Sequence, residues 1–213
     1  MTDHRKTNAM KTAALLAILA LGVAGSAVAQ TAPPPAPPAA PYSNHIVTLA
    51  EAKAVAAAAE AEARKNGWTM VITVVEPNTA LVLAEKMDGT QYGSNDVARK
   101  KAETSANFRR PSSYFQEAVK SGTLNSIFTG AMALEGGELL LVDGKIIGAI
   151  GVSGASAAED AQIANATLEE FAAWFLARLG EDREALRAHR IDAIEVRVFS
   201  GPGQSAGRRA TFA

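Results

Sequence analysis

The sequence predicts an α+β domain, an antiparallel sheet with packed helices, from three observations. Capping boxes at Thr48-Leu-Ala-Glu51 and Ser156-Ala-Ala-Glu159 each open a helical run. Two pairs of strand-length runs, Trp68–Glu76 with Ala80–Lys86 and Glu138–Val142 with Lys145–Val152, are each joined by turn residues. The resulting order is helix, hairpin, helices, hairpin, helix, which argues for helices packed on an antiparallel sheet. At 213 residues and 48% hydrophobic composition, the chain can bury the core of one ordinary domain.

Arg5, Lys6 and Lys11 form a basic start, Thr12–Ala24 an apolar run, and Ala27-Val-Ala29 a small-residue cleavage site. Residues 1–29 therefore read as a signal peptide, and a periplasmic or secreted protein is expected. The competing reading is a membrane anchor, but the apolar run falls short of the roughly 20 residues a spanning helix needs, so no span is expected after cleavage. With no cysteine, the chain has no site for lipid attachment, disulfides or a thiolate ligand. Losing Arg5, Lys6, Lys11 and Asp3 with the leader takes Lys+Arg from 21 to 18 and Asp+Glu from 22 to 21, and the formal charge from −1 to −3. Neither nucleic acid nor an anionic membrane is suggested as a partner. Residues 30–44 are a Pro/Ala-rich linker, with six prolines between Thr31 and Pro41. That composition predicts an extended spacer, read as a passive tether rather than as a proline-recognition motif.

The domain proper is expected over residues 45–180. Its first helix runs from Thr48 to the Asn66-Gly67 stop, with Ala50, Ala54, Ala57, Ala58 and Ala61 as a smooth packing face and Glu51, Lys53, Glu60, Glu62, Arg64 and Lys65 solvated. Pro77-Asn-Thr turns the first hairpin. Ser94 is expected to cap a helix to about Phe108, Pro111 to break it, and Ser113-x-x-Gln116 to cap a shorter helix to Lys120. Asp143-Gly144 supplies the positive φ angles of a two-residue hairpin turn. Gly148, Gly151 and Gly154 then punctuate an apolar strand, which suits a bulge or the close approach of another backbone or a ligand. The Ser156 helix carries Ile163, Leu168, Phe171, Trp174 and Phe175 on its apolar face. Beyond it, residues 181–213 form an extension with a charged stretch, a strand-like alternation over Ile191–Phe199 and a frayed, Gly-rich end.

Lys86-Met-Asp-Gly89, the Ser94–Thr104 helix, Gly136-Gly137 and the Val152-Ser-Gly-Ala-Ser156 run followed by Asp160 carry a resemblance. The chain resembles the GlcG/HbpS-like haem-binding protein family over roughly Thr48–Phe175. That resemblance implies a profilin-like or PAS-like sandwich, a homo-oligomer, and haem or a related planar tetrapyrrole as cofactor, held for transport, storage or sensing. It also implies Thr104 as the threonine of the family's haem site and a possible iron ligand. Acidic pairs credited with iron binding match best at Glu60 and Glu62, which two positions apart on a helix point away from each other. Two departures predict a changed pocket rim: Val75-Glu76-Pro77-Asn78 stands where many relatives have an aspartate and two glycines, and Glu138 where a proline commonly follows the glycine pair.

Only His45 and His189 follow the leader, so a multi-histidine metal centre or a Ser-His-Asp triad is not easily built. His45, between spacer and first helix, is the best intrinsic iron ligand; the plain alternative is an exposed linker histidine. Thr104 could equally bond back to its own helix turn. Arg109 and Arg110 offer planar forks for two propionates, or they merely compensate a helix C-terminus. Tyr92 and Phe108 could stack on a flat ring, and Met87 and Met132 are the soft residues near the expected crevice, with packing the default for all four. The small planar ligand is expected in a glycine-floored slot between the second hairpin and the arginine-ended helix. The alternative is an enzyme on a small organic acid or aromatic substrate, with Glu76, Glu85 or Asp160 as base and the Ser156 helix N-terminus holding an anion. A tethered scaffold is the third reading.

Overall fold

The computed structural model describes residues 39–125, 130–181, 193–199 and 205–211. The leader, residues 30–38 of the linker and His189 lie outside the described residues. The elements are α1 (Leu49–Asn66), β1 (Val71–Val75), β2 (Leu81–Lys86), α2 (Ser94–Phe108), α3 (Ser113–Lys120), β3 (Gly137–Val142), β4 (Lys145–Ser153), α4 (Ala157–Glu181), β5 (Ala193–Phe199) and β6 (Ser205–Thr211). This is the α+β architecture expected.

Strands β2-β1-β4-β3 form one antiparallel sheet in that spatial order. Side chains alternate across its two faces, so each face takes its own helices. Ile72, Val74, Ile150 and Val152 bury against α1 and α4 through Val55, Ala59, Ile163 and Phe171. On the opposite face, Val75 and Ala149 meet Ala102 and Ala106 of α2. The Asp143-Gly144 turn has φ of 50° and 68°, both positive as a two-residue hairpin turn requires. No helix among the described residues is long and apolar enough to cross a membrane.

Helix α1 has the expected capping box and a left-handed Gly67 stop. Its buried face is a different one, however: Glu51, Ala52, Val55, Ala56, Ala59 and Ala63. Alanine at nearly every position carries no phase information, so the face is set by the partners α4 and β1. Two further expectations fail for a common reason. Ser94 lies inside α2, buried, with its hydroxyl 3.4 Å from that of Ser153. Ser112, not Ser113, stands at the N-cap of α3 without capping it; its hydroxyl accepts the Gly137 amide at 2.8 Å, while the Gln116 carbonyl accepts the Glu135 amide at 3.2 Å. These polar groups tie helices to the end of β4, the start of β3 and the residue Glu135 ahead of it, instead of closing helix ends. The stretch read as frayed contains β6, paired antiparallel with β5 along its whole length. Its Ser-Ala-Gly-Arg-Arg-Ala-Thr sequence has no apolar alternation to announce a strand.

Gly137 and Gly151 sit opposite each other on β3 and β4, and α2 crosses directly over them. A Cβ at Gly151 would collide with the Ala98 carbonyl oxygen, and one at Gly137 with the carbonyl of Lys101. Gly151→Ala should therefore lower stability by at least about 1 kcal/mol through overpacking. Chemical denaturation checks this, with Gly93→Ala, where a Cβ meets nothing, as the comparison.

Candidate functional site

The glycine floor is where the structure departs most from expectation. The backbone of α2 fills the space over Gly137 and Gly151, and Gly154 receives the Thr69 carbonyl and Met70. Gly148 lies against the Val75 carbonyl and Val47. The glycines admit the protein's own main chain, so the slot for a flat ligand is not there. The open space lies on the other side of α2.

That space is a cleft of about 310 Å³ between the outer side of α2, contributing Lys100, Glu103, Thr104, Asn107 and Phe108, and the Gly130–Met132 segment. Thr104 recurs one helical turn after Lys100 and one before Phe108, which places all three along a single stripe. Its side chain is buried, and its hydroxyl oxygen accepts the Met132 amide at 2.8 Å. The threonine does not bond back to its own helix turn; it staples the far wall of the cleft to α2. Phe108, Ala131 and Met132 give that cleft an apolar lining, and Lys100 and Asn107 a polar rim. Glu103 is held by Arg99 at 2.7 Å, whereas Lys100 has no carboxylate partner among the described residues.

The inner side of the same helix is anchored by an ion pair. Lys101 is fully buried, and its Nζ donates to Asp160 Oδ2 at 2.6 Å and to the Val152 carbonyl at 2.9 Å. Asp160 Oδ1 accepts the amides of Gly154 and Ala155 at 3.0 and 3.1 Å. Burial pulls the Lys101 ammonium below the usual lysine range and lifts the Asp160 carboxyl above the usual carboxylate range, each against the opposing pull of its partner. Sequence reasoning gave Lys101 no role. In a Lys100-Lys101 doublet only the helix phase tells the solvated lysine from the buried one.

The remaining candidates are dispersed. Arg109 adopts a left-handed conformation at the end of α2 with its guanidinium 5.7 Å from the centre of the Tyr42 ring. Arg110 lies 4.3 Å from the centre of the Tyr114 ring. Neither lines the cleft. Segment Pro41–Val47 runs beside β4, and Tyr42 reaches the Ala106 carbonyl at 2.8 Å. His45 belongs to the other face of the sheet: its Nε2 is 2.9 Å from Glu51 Oε1 and its ring packs edge-on to Phe175. The sheet thus separates His45 from Thr104, and the two do not meet within one chain. Met87 Sδ accepts the Met70 amide at 3.3 Å, and Tyr92 is 88% exposed beside Lys86. Glu60 pairs with Arg64 and Glu62 with Lys65 rather than with each other.

The arrangement for an acid-processing enzyme is likewise not assembled. Asp160 and Glu159 take the amides ahead of and at Ser156, so the N-terminus of α4 holds the chain's own carboxylates. Glu76 and Glu85 stand outside the cleft lining. No group of three or more His, Cys, Asp or Glu side chains able to hold a metal occurs among the described residues.

Residues 47–169 match the model of a family described as haem degrading protein HbpS-like. Protein GlcG of Escherichia coli K12 is 37% identical over 103 residues, 48% of this chain and 77% of GlcG. The crystal structure of HbpS superposes with a TM-score of 0.55 at 30% identity, covering 60% of this chain and 90% of that one. A PduOC:haem complex gives 0.54 at 22% identity, covering 59% and 94%, a likeness of fold. With its match spanning the four-stranded sheet and helices α1 to α3 and running into the first half of α4, the chain belongs to the HbpS-like family.

Proposed function

We propose that the protein binds haem, or a related planar tetrapyrrole, in the cleft between α2 and the Gly130–Met132 segment. The observation that carries this reading is that Thr104, the residue matched to the family's haem site, lines that cleft together with Lys100, Phe108, Ala131 and Met132. The donor set fits such a guest: apolar walls for the ring, a cation for a propionate and a soft thioether for iron. The volume is at the small end of ligand clefts, so the tetrapyrrole would be only partly enclosed and exchangeable. Bound haem would supply an iron centre for ligand binding or electron transfer. The residues' part is to hold the ring, neutralise its carboxylates and exclude water from one face. Arg109 and Arg110 add positive charge just beyond Phe108.

The same reading makes the protein an exported homo-oligomer serving transport, storage or sensing. The leader-like residues 1–29 support export, and cell fractionation with size-exclusion chromatography of the mature chain tests both parts. Hemin titration tests the binding itself. A saturable Soret shift is expected, weakened by about tenfold in Thr104→Val, since groups that position a metal site typically contribute that much or more. A spectrum indistinguishable from free hemin would remove the proposal.

A further inference from the structure

We infer that the Met132 thioether, not the Thr104 hydroxyl, would be the protein's ligand to haem iron in this cleft, and that Thr104 is a positioning residue for it. The inference rests on the haem reading and deepens it. Thr104 Oγ1 accepts the Met132 amide at 2.8 Å, so the hydroxyl oxygen is already engaged by a residue that lines the cleft with it. A neutral hydroxyl is a hard, weak donor, and one holding a backbone amide is weaker still as a ligand. The bond fixes the Met132 backbone on the cleft wall one step from α2. Three rotatable bonds then let the side chain adapt to a guest.

The other donors are worse. Lys100 presents a donor-only ammonium and Asn107 a neutral amide, while the Glu103 carboxylate is bonded to Arg99. His45 is across the sheet with Glu51, and Met87 Sδ already accepts the Met70 amide. Met132 is half-buried, and no hydrogen bond occupies its sulfur among the described residues. Thioether sulfur is an established class of haem ligand, soft enough for iron and favouring the ferrous state, which raises the reduction potential.

The experiment compares the full-length wild type with Met132→Leu, Thr104→Val and Thr104→Ser after loading with hemin. Met132→Leu conserves volume and apolarity, so the fold and the cleft walls stay as they are. The wild type should show the weak long-wavelength charge-transfer band of thioether-ligated ferric haem. Met132→Leu should lose that band and shift to a lower potential while still binding hemin. Thr104→Val should bind about tenfold more weakly yet keep the band in its loaded fraction, and Thr104→Ser, which retains the amide acceptor, should restore wild-type affinity. A Met132→Leu spectrum and potential identical to wild type overturn the ligand assignment while the haem reading stands. A hemin-loaded wild type that lacks this band, with a spectrum changed by Thr104→Val and not by Met132→Leu, overturns it in favour of the hydroxyl. No Soret change in the wild type overturns the haem reading and this inference with it.

Discussion

Replacing Lys101 with methionine is expected to lower the free energy of unfolding by about 3–5 kcal/mol, the range for breaking one side of a buried ion pair. Methionine keeps most of the volume, so the loss reports electrostatics and not a cavity. What remains is the Asp160 carboxylate, buried among Gly154, Ala155 and Gly136 with two amide donors and no counter-charge. Asp160→Asn should be comparably costly, because its amide oxygen can keep the two backbone donors while its NH2 faces the stranded ammonium. The double variant Lys101→Met/Asp160→Asn removes both charges and keeps the amide bonds, so it should recover much of the loss. Urea denaturation across this cycle measures the coupling. A single-variant loss below about 1 kcal/mol would mean that water reaches the pair and that it behaves as a surface ion pair.

The pair matters to the cleft because Lys101 and the cleft residues Lys100, Thr104 and Phe108 share helix α2. Lys101 looks inward to β4 and the start of α4, and its neighbours Lys100 and Thr104 look outward. With α2 seated on Gly137 and Gly151 and pinned by Lys101, the outer stripe of the helix becomes a fixed wall. The Met132 amide ties the opposite wall to Thr104. Lys101→Met is therefore expected to weaken hemin binding as well as stability, although the residue never touches the cleft.

The architecture was readable because its signals are local. The capping boxes at Thr48 and Ser156, the Gly67 stop and the Asp143-Gly144 turn each depend on a few adjacent residues, and each is present in the structure. What was misread depends on phase or on partners distant in sequence. The poly-alanine character of α1 hid its buried face, and Ser94, Ser112 and Gln116 bond across the fold rather than within their own helices. The glycines signalled close approach correctly but not what approaches, which is α2 itself. At the candidate site, Thr104 came from the resemblance and Met132 only as a soft residue near the crevice. Their hydrogen bond spans 28 positions and has no pattern in the sequence.

Glu138→Gln is expected to flatten the pH dependence of stability and to leave the protein more stable than wild type at neutral pH. Glu138 points from β3 into the protein, is 3% exposed, and its Oε2 has no hydrogen-bond partner. Burial, reinforced by Glu135 nearby, holds its carboxyl well above the ordinary value of 4.5. The sign follows from proton counting. Below 4.5 the group is protonated folded and unfolded alike, and it costs the fold no proton. As the pH rises from 4.5 towards the folded-state value, the unfolded chain ionises first, and each step draws stability away from the fold. Glutamine is neutral throughout and should gain at least about 1 kcal/mol over wild type at neutral pH, the size of one unit of pKa difference. Asp160, also raised by burial, contributes the same sign in both proteins, so the difference between them isolates Glu138. Urea midpoints over roughly pH 4 to 8 should diverge steadily; parallel curves would show that the Glu138 carboxyl ionises in the fold as it does in water.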